Sequence, residues 1–560
     1  MAAAAGIAFF VGRLDLARER ALAAEAVAQI ARAASERDAA SARAALDFLT
    51  AAFRAAAPET ALRRDVSVRS LLDAARASLA TRKLDAPATQ TMQRLLGRLY
   101  AELGERGVAV GLLRAGLAGA IADDRADALR LAADYDLLSG QLSSADDGAD
   151  STAAANAADA LRARWAPDDT IERIRTLISL ATARDRAGDG TRAIALLRQA
   201  DGLAREHAVT ADLAARIAIP FAGALAGNDC NEAETVAASA LRRVEAELPR
   251  ESPQRRQLLA ARANALQTCG RWAEAEPLLR EAIALQNDVV GPGGGDMMRL
   301  TTQLSQLLAQ LGRLPEAAAL LTQSGATEAS DLDDTEVATL LGNRADLLDA
   351  AGDYVSSLAA SREAAALLDR AGIGADHALR RQLRRNQART LALVGDYGHA
   401  VAELADLRER AARVDGAGSV EYASVVWQLA AAARVAQHAE TGMPLLEEAV
   451  GLWRQIAPAD HPIFAYAERC RAVFAMIQRD YARADAAFAQ ALRQLEALKV
   501  PLGDLATARS ERAELWRRQG RITDARALLA QALPVLRDNY LPTQLLRAGA
   551  ERTAVQLGMR

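Results

Sequence analysis

One pattern returns along most of this 560-residue chain at nearly fixed spacing. An apolar stretch ends in Leu-x-x-x-Gly, a polar or aromatic pair follows, and then comes Ala with a second stretch carrying Leu-Leu and Ala. Clear copies stand at Gly270-Arg271-Trp272, Gly312-Arg313-Leu314, Gly352-Asp353-Tyr354, Gly395-Asp396-Tyr397 and Gly520-Arg521-Ile522. With the glycine as marker, copies fall at Gly104, Gly188, Asn228, Gly270, Gly312, Gly352, Gly395, Gln437, Arg479 and Gly520, in steps of 84, 40, 42, 42, 40, 43, 42, 42 and 41. The first step is two periods, with a worn copy in the Ser/Asp/Ala-rich stretch between Ser139 and Ala160. A single two-helix unit of this length cannot bury its own apolar face, so neighbours must stack. The three or four globular domains that such a length ordinarily implies, at about 150 residues each, give way to one array of roughly eleven units.

The unit can be read residue by residue. Glycine at the marker supplies the left-handed backbone that ends a helix. Five positions on, Ala109, Ala193, Ala233, Ala275, Ala317, Ala400, Ala484 and Ala525 are small, so two antiparallel helices can approach closely. Four further on, Leu113, Leu197, Leu279, Leu321, Leu404, Phe488 and Leu529 supply bulk. Pro277, Pro315 and Pro444 are expected near the starts of second helices, where a missing N–H costs least. Gly442 departs from the pattern by replacing the small alanine.

Composition agrees. Apolar residues make up 51 % of the chain but Phe, Trp and Tyr only 4 %, so alanine carries much of the share. That favours long helices over sheets and barrels. The 68 Lys and Arg against 72 Asp and Glu leave a net charge of −4, without the basic excess that phosphate neutralisation needs, so no nucleic-acid partner is expected. Cys230, Cys269 and Cys470 are too few and scattered for a disulfide framework or metal knuckle and read as small buried hydrophobes. The five histidines never take a zinc-hydrolase spacing. Neither metal nor cofactor is expected.

The first segment, residues 1–12, holds an uncharged apolar run, AAAAGIAFFVG from Ala2 to Gly12, about half of a spanning helix. It reads either as the frayed start of a helix or as the tail of a transmembrane helix whose first half lies upstream of Met1. Residues 13–85 read as a helical stalk: Leu14 to Phe53 contain neither Pro nor Gly, enough for one helix about 60 Å long. Pro58 closes it, and a further helix fits Val66–Leu79, with Ser67 or Ser70 as cap. The repeat array then occupies residues 86–560.

Leu96-Gly97, Tyr100, Gly104 and Ala109 together resemble the tetratricopeptide repeat. Trp272 to Leu285 (WAEAEPLLREAIAL) resembles its longer, kinesin-light-chain-like variant, as do the Asp460-His461-Pro462 helix start and its worn copy at Ala375-Asp376-His377. The resemblance implies an all-α fold: a right-handed α-α superhelix preceded by a long N-terminal helix. Residues 1 to about 120 resemble the segment that joins the membrane helix to the repeat array in bacterial transmembrane serine/threonine protein kinases, at Phe48, Leu49, Phe53, Pro58, Asp65, Val66, Ser67, Leu71, Leu72 and Asp73. This second likeness favours the membrane-helix reading of residues 1–12. It implies an array on the periplasmic side of a bacterial inner membrane, the alternative being a freestanding cytoplasmic scaffold.

No kinase motif is present: H-R-D-x-x-x-x-N, D-F-G and the Gly-rich loop with its V-A-I-K strand are all missing. Gly291-Pro292-Gly293-Gly294-Gly295-Asp296 reads as a flexible loop between repeats. The acidic pairs Asp123-Asp124, Asp146-Asp147 and Asp333-Asp334 read as loop or helix-start residues favourable to the helix dipole. The expected activity is therefore non-enzymatic capture of protein or peptide partners. In the repeat that this chain resembles, first helices line the concave side, with positions about six, nine and ten before the marker facing inward. Mapped here, these give Asn264; Thr302, Gln303 and Gln306; Gly342, Asn343 and Asp346; Arg385, Asn386 and Arg389; and Trp427 and Gln428. Amides and arginines beside a tryptophan suit a peptide groove. The densest basic stripe, Arg380-Arg381-Arg384-Arg385-Arg389, reads as a solvated helix face with acidic neighbours across the turn.

Overall fold

The computed structural model describes residues 68–81, 85–103, 105–142, 148–291, 294–323, 332, 334–498 and 500–559. The apolar run, the long helix expected from Leu14, Pro58, the Ser67 cap, Gly104, Asp146-Asp147, Pro292-Gly293 and Asp333 lie outside the described residues.

Every regular element among the described residues is a helix. A first helix, α1 (Val68–Thr81), is followed by eleven pairs: α2 (Ala86–Glu102) and α3 (Arg106–Leu117), α4 (Arg125–Gln141) and α5 (Gly148–Trp165), α6 (Thr170–Arg186) and α7 (Gly190–Glu206), α8 (Ala211–Ala226) and α9 (Cys230–Glu247), α10 (Pro253–Thr268) and α11 (Trp272–Val289), α12 (Gly295–Gln310) and α13 (Leu314–Gln323), α14 (Asp334–Ala351) and α15 (Tyr354–Arg370), α16 (Ala378–Leu393) and α17 (Tyr397–Val414), α18 (Val420–Val435) and α19 (Ala439–Ile456), α20 (Ile463–Ile477) and α21 (Tyr481–Ala497), and α22 (Leu502–Arg518) and α23 (Ile522–Asn539). A last helix, α24 (Leu545–Gln556), closes the series.

The helices start and stop where local chemistry dictates. Asp85, Asp124, Asp169, Thr210, Asp353, Ser419 and Asp480 each cap a helix through a side-chain oxygen, meeting N–H groups that have no partner in the first turn. His377 and His461 do the same through Nδ1, accepting from Leu379 and Ile463 at 3.3 and 3.2 Å. At the markers Gly188, Gly270, Gly312, Gly352, Gly395 and Gly520 the backbone is left-handed, and the non-glycines Gln437 and Arg479 take the same conformation at φ 61° and 65°. The following N–H then reaches back five residues: Arg271 to Leu266 at 2.9 Å, Arg313 to Leu308 at 2.8 Å, His438 to Ala433 at 2.8 Å and Asp480 to Ala475 at 2.9 Å. This is the Schellman closure, which satisfies carbonyls that the helix end would leave bare.

The seam between paired helices is also as expected. Ala109, Ala193, Ala233, Ala275, Ala317, Ala400, Ala484 and Ala525 are all fully buried, and Leu113, Leu279, Leu404, Phe488 and Leu529 lie in the core beside them. Two expectations need correction. Pro277 and Pro444 sit at the sixth residue of α11 and α19, one turn deeper than a helix start, where each removes one i→i−4 bond. Cys230 and Cys269 are not buried hydrophobes. They are half-buried and joined as a disulfide with Cα atoms 5.4 Å apart, because stacking sets successive turns side by side. Cys470 alone is buried and free.

The chain forms two compact units, residues 1–196 and 197–560. In the first, Leu72 and Ala75 of α1 pack on Met92, Leu96 and Tyr100, and the Tyr100 hydroxyl donates to Asp73 at 2.8 Å. The worn copy between Ser139 and Ala160 folds as the α4–α5 pair. Its seam is polar: buried Ser139 and Ser151 exchange hydroxyl-to-carbonyl bonds of 3.0 and 3.1 Å.

In the second unit the first helices α14, α16, α18, α20, α22 and α24 each touch the next, whereas successive second helices make no comparable contact. The row of first helices is therefore the inner side of the curve. The C-terminal end returns to the turn at Gly352: Leu541 N–H donates to Ala351 O at 2.9 Å, Thr543 Oγ1 to Gly352 O at 2.8 Å, and Leu545 N–H to the Tyr354 hydroxyl at 3.2 Å. Leu541 packs against the cluster of Ala318, Leu321, Leu348 and Ala351. A Cβ on Gly352 would lie 2.6 Å from Gln544 N, so the close approach itself requires glycine there. Helix α13 has 10 residues where α11 and α15 have 18 and 17, and α23 packs beside it.

Candidate functional site: the inner face of the second unit

The polar residues of the inner face divide into those that hold the stack together and those left with unused hydrogen-bonding capacity. Five of the twelve expected site residues belong to the first group. Arg389 bridges two acids of the preceding first helix, donating from Nε to Asp349 Oδ2 and from Nη2 to Asp346 Oδ1, both at 2.9 Å. Asn386 donates to Asp346 Oδ2 at 2.7 Å, and Thr390 to Asp349 Oδ1 at 2.7 Å. Arg385 pairs forward with Glu421 on α18. Burial works against the charge on Arg389, but Asp349 and Asp346 outweigh it and hold its pKa above the ordinary arginine value. For Asp346 burial dominates and its pKa is raised, although Arg389 opposes the shift. The geometry, two charge-assisted bonds across a half-buried interface, identifies a structural ion pair.

The Arg385, Asn386, Arg389 and Asp346 group is thus tied into an inter-repeat ladder. The whole basic stripe shares this fate: Arg380 pairs with Asp369, Arg381 with Asp415, and Arg384 with Glu403 and Asp406. Asp369 lies across the preceding turn and Glu403 and Asp406 across the turn at Gly395, as expected; Asp346 and Asp349 on α14, Asp415 after α17 and Glu421 on α18 belong to neighbouring repeats, and Arg381 is buried rather than solvated.

The remaining expected residues are dispersed. Gln303 spans to the previous repeat, donating to Ala260 O at 3.3 Å and Gln267 Oε1 at 3.2 Å. Asn264, Asn343 and Gln428 are half-buried and Gln306 is exposed. Thr302 is buried, and Gly342 accommodates the tip of Leu383, so neither faces a groove. Trp427 packs against the cluster of Ala430, Leu446, Ala467 and Phe474, and so serves the core as much as the surface.

The second group was missed by sequence reasoning. Arg434 on α18, Arg469 on α20 and Glu511 on α22 link three successive first helices. Their closest approaches are 3.7 Å, Arg434 Nη1 to Glu511 Oε1, and 3.6 Å, Arg469 Nε to Glu511 Oε2. Both are beyond hydrogen-bond reach. Arg434 Nε, Arg469 Nε and Glu511 Oε2 are all buried without a hydrogen-bond partner. Burial again opposes the charge on Arg469, and Glu511, with help from Asp504, raises its pKa above the usual arginine value. Nearby, the Tyr466 hydroxyl donates to Asp504 Oδ2 at 2.8 Å, and burial followed by Asp504 pushes its pKa up. Arg469 and Glu511 occupy the positions ten and nine before their markers, so extending the inward-facing mapping by two repeats finds them. Among the described residues no group of three or more His, Cys, Asp or Glu is placed to hold a metal ion.

The tetratricopeptide repeat family matches residues 254–324. That match spans α10–α13, including the Gly270 and Gly312 turns. No curated protein matches the sequence. Similar solved structures include a Podosopora anserina protein with nearly identical kinesin light chain TPR-like repeats, at 20 % identity over 36 % of this chain and 97 % of that one, with a TM-score of 0.33. A tetratricopeptide repeat protein from Parabacteroides merdae is 16 % identical over 53 % of this chain and 98 % of its own, with a TM-score of 0.35. A Rap protein complexed with competence and sporulation factor is 12 % identical over 69 % of this chain and 98 % of its own, with a TM-score of 0.41.

Proposed function

We propose that this chain is a non-enzymatic scaffold that captures a peptide segment of a protein partner along the inner face of α18, α20 and α22. The observation that carries the reading is the Arg434–Glu511–Arg469 row. Buried polar groups are ordinarily paired, and each one left open costs about 1–3 kcal/mol. Two guanidinium groups beside one carboxylate, whose hydrogen bonds to each other are not made, offer donors and an acceptor that complement a peptide main chain, whose carbonyls accept and whose N–H donates. Display of random peptides against the full chain tests it. Ligands enriched on the native chain are expected to lose at least tenfold in affinity with Arg469→Gln or Glu511→Gln while helical content is unchanged. Ligands that bind both variants as tightly as the native chain refute the site.

The setting we propose is signalling alongside a bacterial membrane serine/threonine kinase, with the array on the extracytoplasmic side of the inner membrane. The stalk-like residues Leu71, Leu72 and Asp73 and their neighbours upstream support it. So does the Cys230–Cys269 disulfide, since such bonds persist in oxidising compartments. Among the described residues no helix is long and apolar enough to cross a membrane; the attachment we propose uses the apolar run within residues 1–12. A catalytic domain upstream of the same polypeptide, or a freestanding cytoplasmic scaffold, are the competing arrangements. Fractionation of cells expressing the native gene separates them: membrane or periplasmic recovery supports the proposal, and a wholly cytoplasmic protein overturns it.

A further inference from the structure

The turn at Asn228 is closed differently from the other marked turns among the described residues. Asn228 is not left-handed. The N–H groups of both Asn228 and Asp229 converge on Leu225 O, at 2.8 and 2.7 Å, so the reach back of five residues is missing. The carbonyl that this reach would satisfy, Ala224 O, accepts instead from the exposed Asn228 side chain at 3.2 Å. Two residues on, Cys230 is bonded to Cys269, which directly precedes the next marker, Gly270. The bridge spans 39 residues, almost one period, and ties the weakly closed turn to its regularly closed neighbour. Both cysteines are half-buried at the edge formed by the turns, outside the apolar core.

We infer that Cys230–Cys269 is a thiol–disulfide exchange site whose oxidised form fastens the α8–α9 pair to α10–α11. Its reactant is a dithiol. One thiolate of the dithiol attacks Cys269 Sγ, forming a mixed disulfide and expelling Cys230 as thiolate. The second thiol then attacks the dithiol's own sulfur in that mixed disulfide and releases Cys269. The dithiol ends as a cyclic disulfide, oxidised by two electrons, and its two protons pass to the two cysteines. Cys230 is the better leaving group because it is the first residue of the 18-residue helix α9, whose N-terminus stabilises a thiolate. The acids around it are engaged: Asp229 accepts Glu232 N–H, Glu232 pairs with Arg198 at 2.7 Å, and Glu234 pairs with Arg262 at 2.8 Å. Cleavage releases the helix pair whose turn, among the described marked turns, lacks the Schellman closure, and leaves the Schellman-closed repeats in place.

The test uses the full chain with dithiothreitol as the dithiol. Titration of unfolded, unreduced protein should find one free thiol, Cys470, and reduced protein three. Reduction should speed hydrogen exchange of amides in α8 and α9 by several hundredfold, as loss of a loop constraint of this length implies, with α17–α21 unchanged. Asn228→Gly supplies the missing left-handed residue and should blunt that acceleration. Three thiols before reduction overturn the assignment. So does exchange that reduction leaves unchanged or accelerates throughout the unit, or an Asn228→Gly chain that responds to reduction exactly as the native one.

Discussion

Gly442 stands where eight other repeats carry a fully buried alanine, and restoring that alanine should weaken the fold. An added Cβ would lie 2.5 Å from Phe474 Cε1 and 3.1 Å from Ala433 Cβ. Carbon atoms pack best at about 3.5–4.0 Å, so the ring must retreat by about 1 Å. It has nowhere to go: Phe474 is fully buried among Leu446, Val450, Ala467 and Cys470. Overpacking of this kind costs about 1–3 kcal/mol. Against it stands the preference of a helix for alanine over glycine, about 1 kcal/mol in mid-helix and less at the fourth residue of α19. The net loss expected for Gly442→Ala is about 1–2 kcal/mol. A repeat array need not unfold in one step, so hydrogen exchange of α19 and α20 in the full chain reads the local opening free energy better than a single melting curve. In a Phe474→Leu background the same substitution should be neutral or gain about 0.5 kcal/mol, a coupling of about 1–2 kcal/mol. If Gly442→Ala stabilises the native background, or the two changes are additive, glycine is there for a reason other than the phenyl ring.

At the exposed left-handed positions Gln437 and Arg479, replacement by glycine relieves about 1–2 kcal/mol of steric cost against about 0.5–1 kcal/mol of added chain freedom, so each variant should gain about 0.5 kcal/mol in local exchange; lower protection would contradict the turn geometry. Asp349→Ala removes the buried partner of Arg389 and Thr390 and should cost about 3 kcal/mol, seen as a lower melting temperature, and an unchanged melt would reject the ladder as structural. Acid should unfold the chain through depressed carboxylates: Arg471 holds Glu447 below the usual range, and despite burial Arg517 with Arg518 does so for Glu514 and Arg512 with Trp516 for Asp485. Their stabilisation is present above the unfolded carboxylate value near 4 and is lost as pH falls towards the lower folded values, so helical circular dichroism should hold from about pH 8 to 5 and collapse below about 4; a signal retained in full at pH 2 would refute it.

The elements of this fold that recur were readable without coordinates because each has one dominant local cause. A left-handed helix end calls for glycine, a close helix seam calls for alanine, and both repeat in register. Gln437 and Arg479 show how strongly the stack imposes the turn even where the residue resists it. What escaped were relations between repeats. Arg385 and Glu421, or Arg389 and Asp349, lie 36 and 40 residues apart, so a basic stripe looks free until the next repeat is laid beside it. Cys230 and Cys269 seemed scattered for the same reason. Spacing carried two repeats further reaches Arg469 and Glu511, but not Arg434, three before its marker, nor the bonds that the row leaves unmade.

The return of the C-terminal segment to the Gly352 turn changes the kinetics and the evolution of the second unit. Thr543 meets a carbonyl 191 residues earlier in the chain, so this unit is not a string in which each repeat depends only on its neighbours. At about 5–20 residues per second, a ribosome needs roughly 10 to 40 s to make that partner after the turn has emerged. Until then the hydrophobic side of Ala318, Leu321 and Leu348 waits uncovered, a window in which chaperones or a second nascent chain compete for it. Repeat number is likewise restricted. An open array tolerates gain or loss of one unit, whereas here a duplication between Gly352 and Gly520 would carry Leu541 past its seat, so the count in this stretch is set by the need to meet.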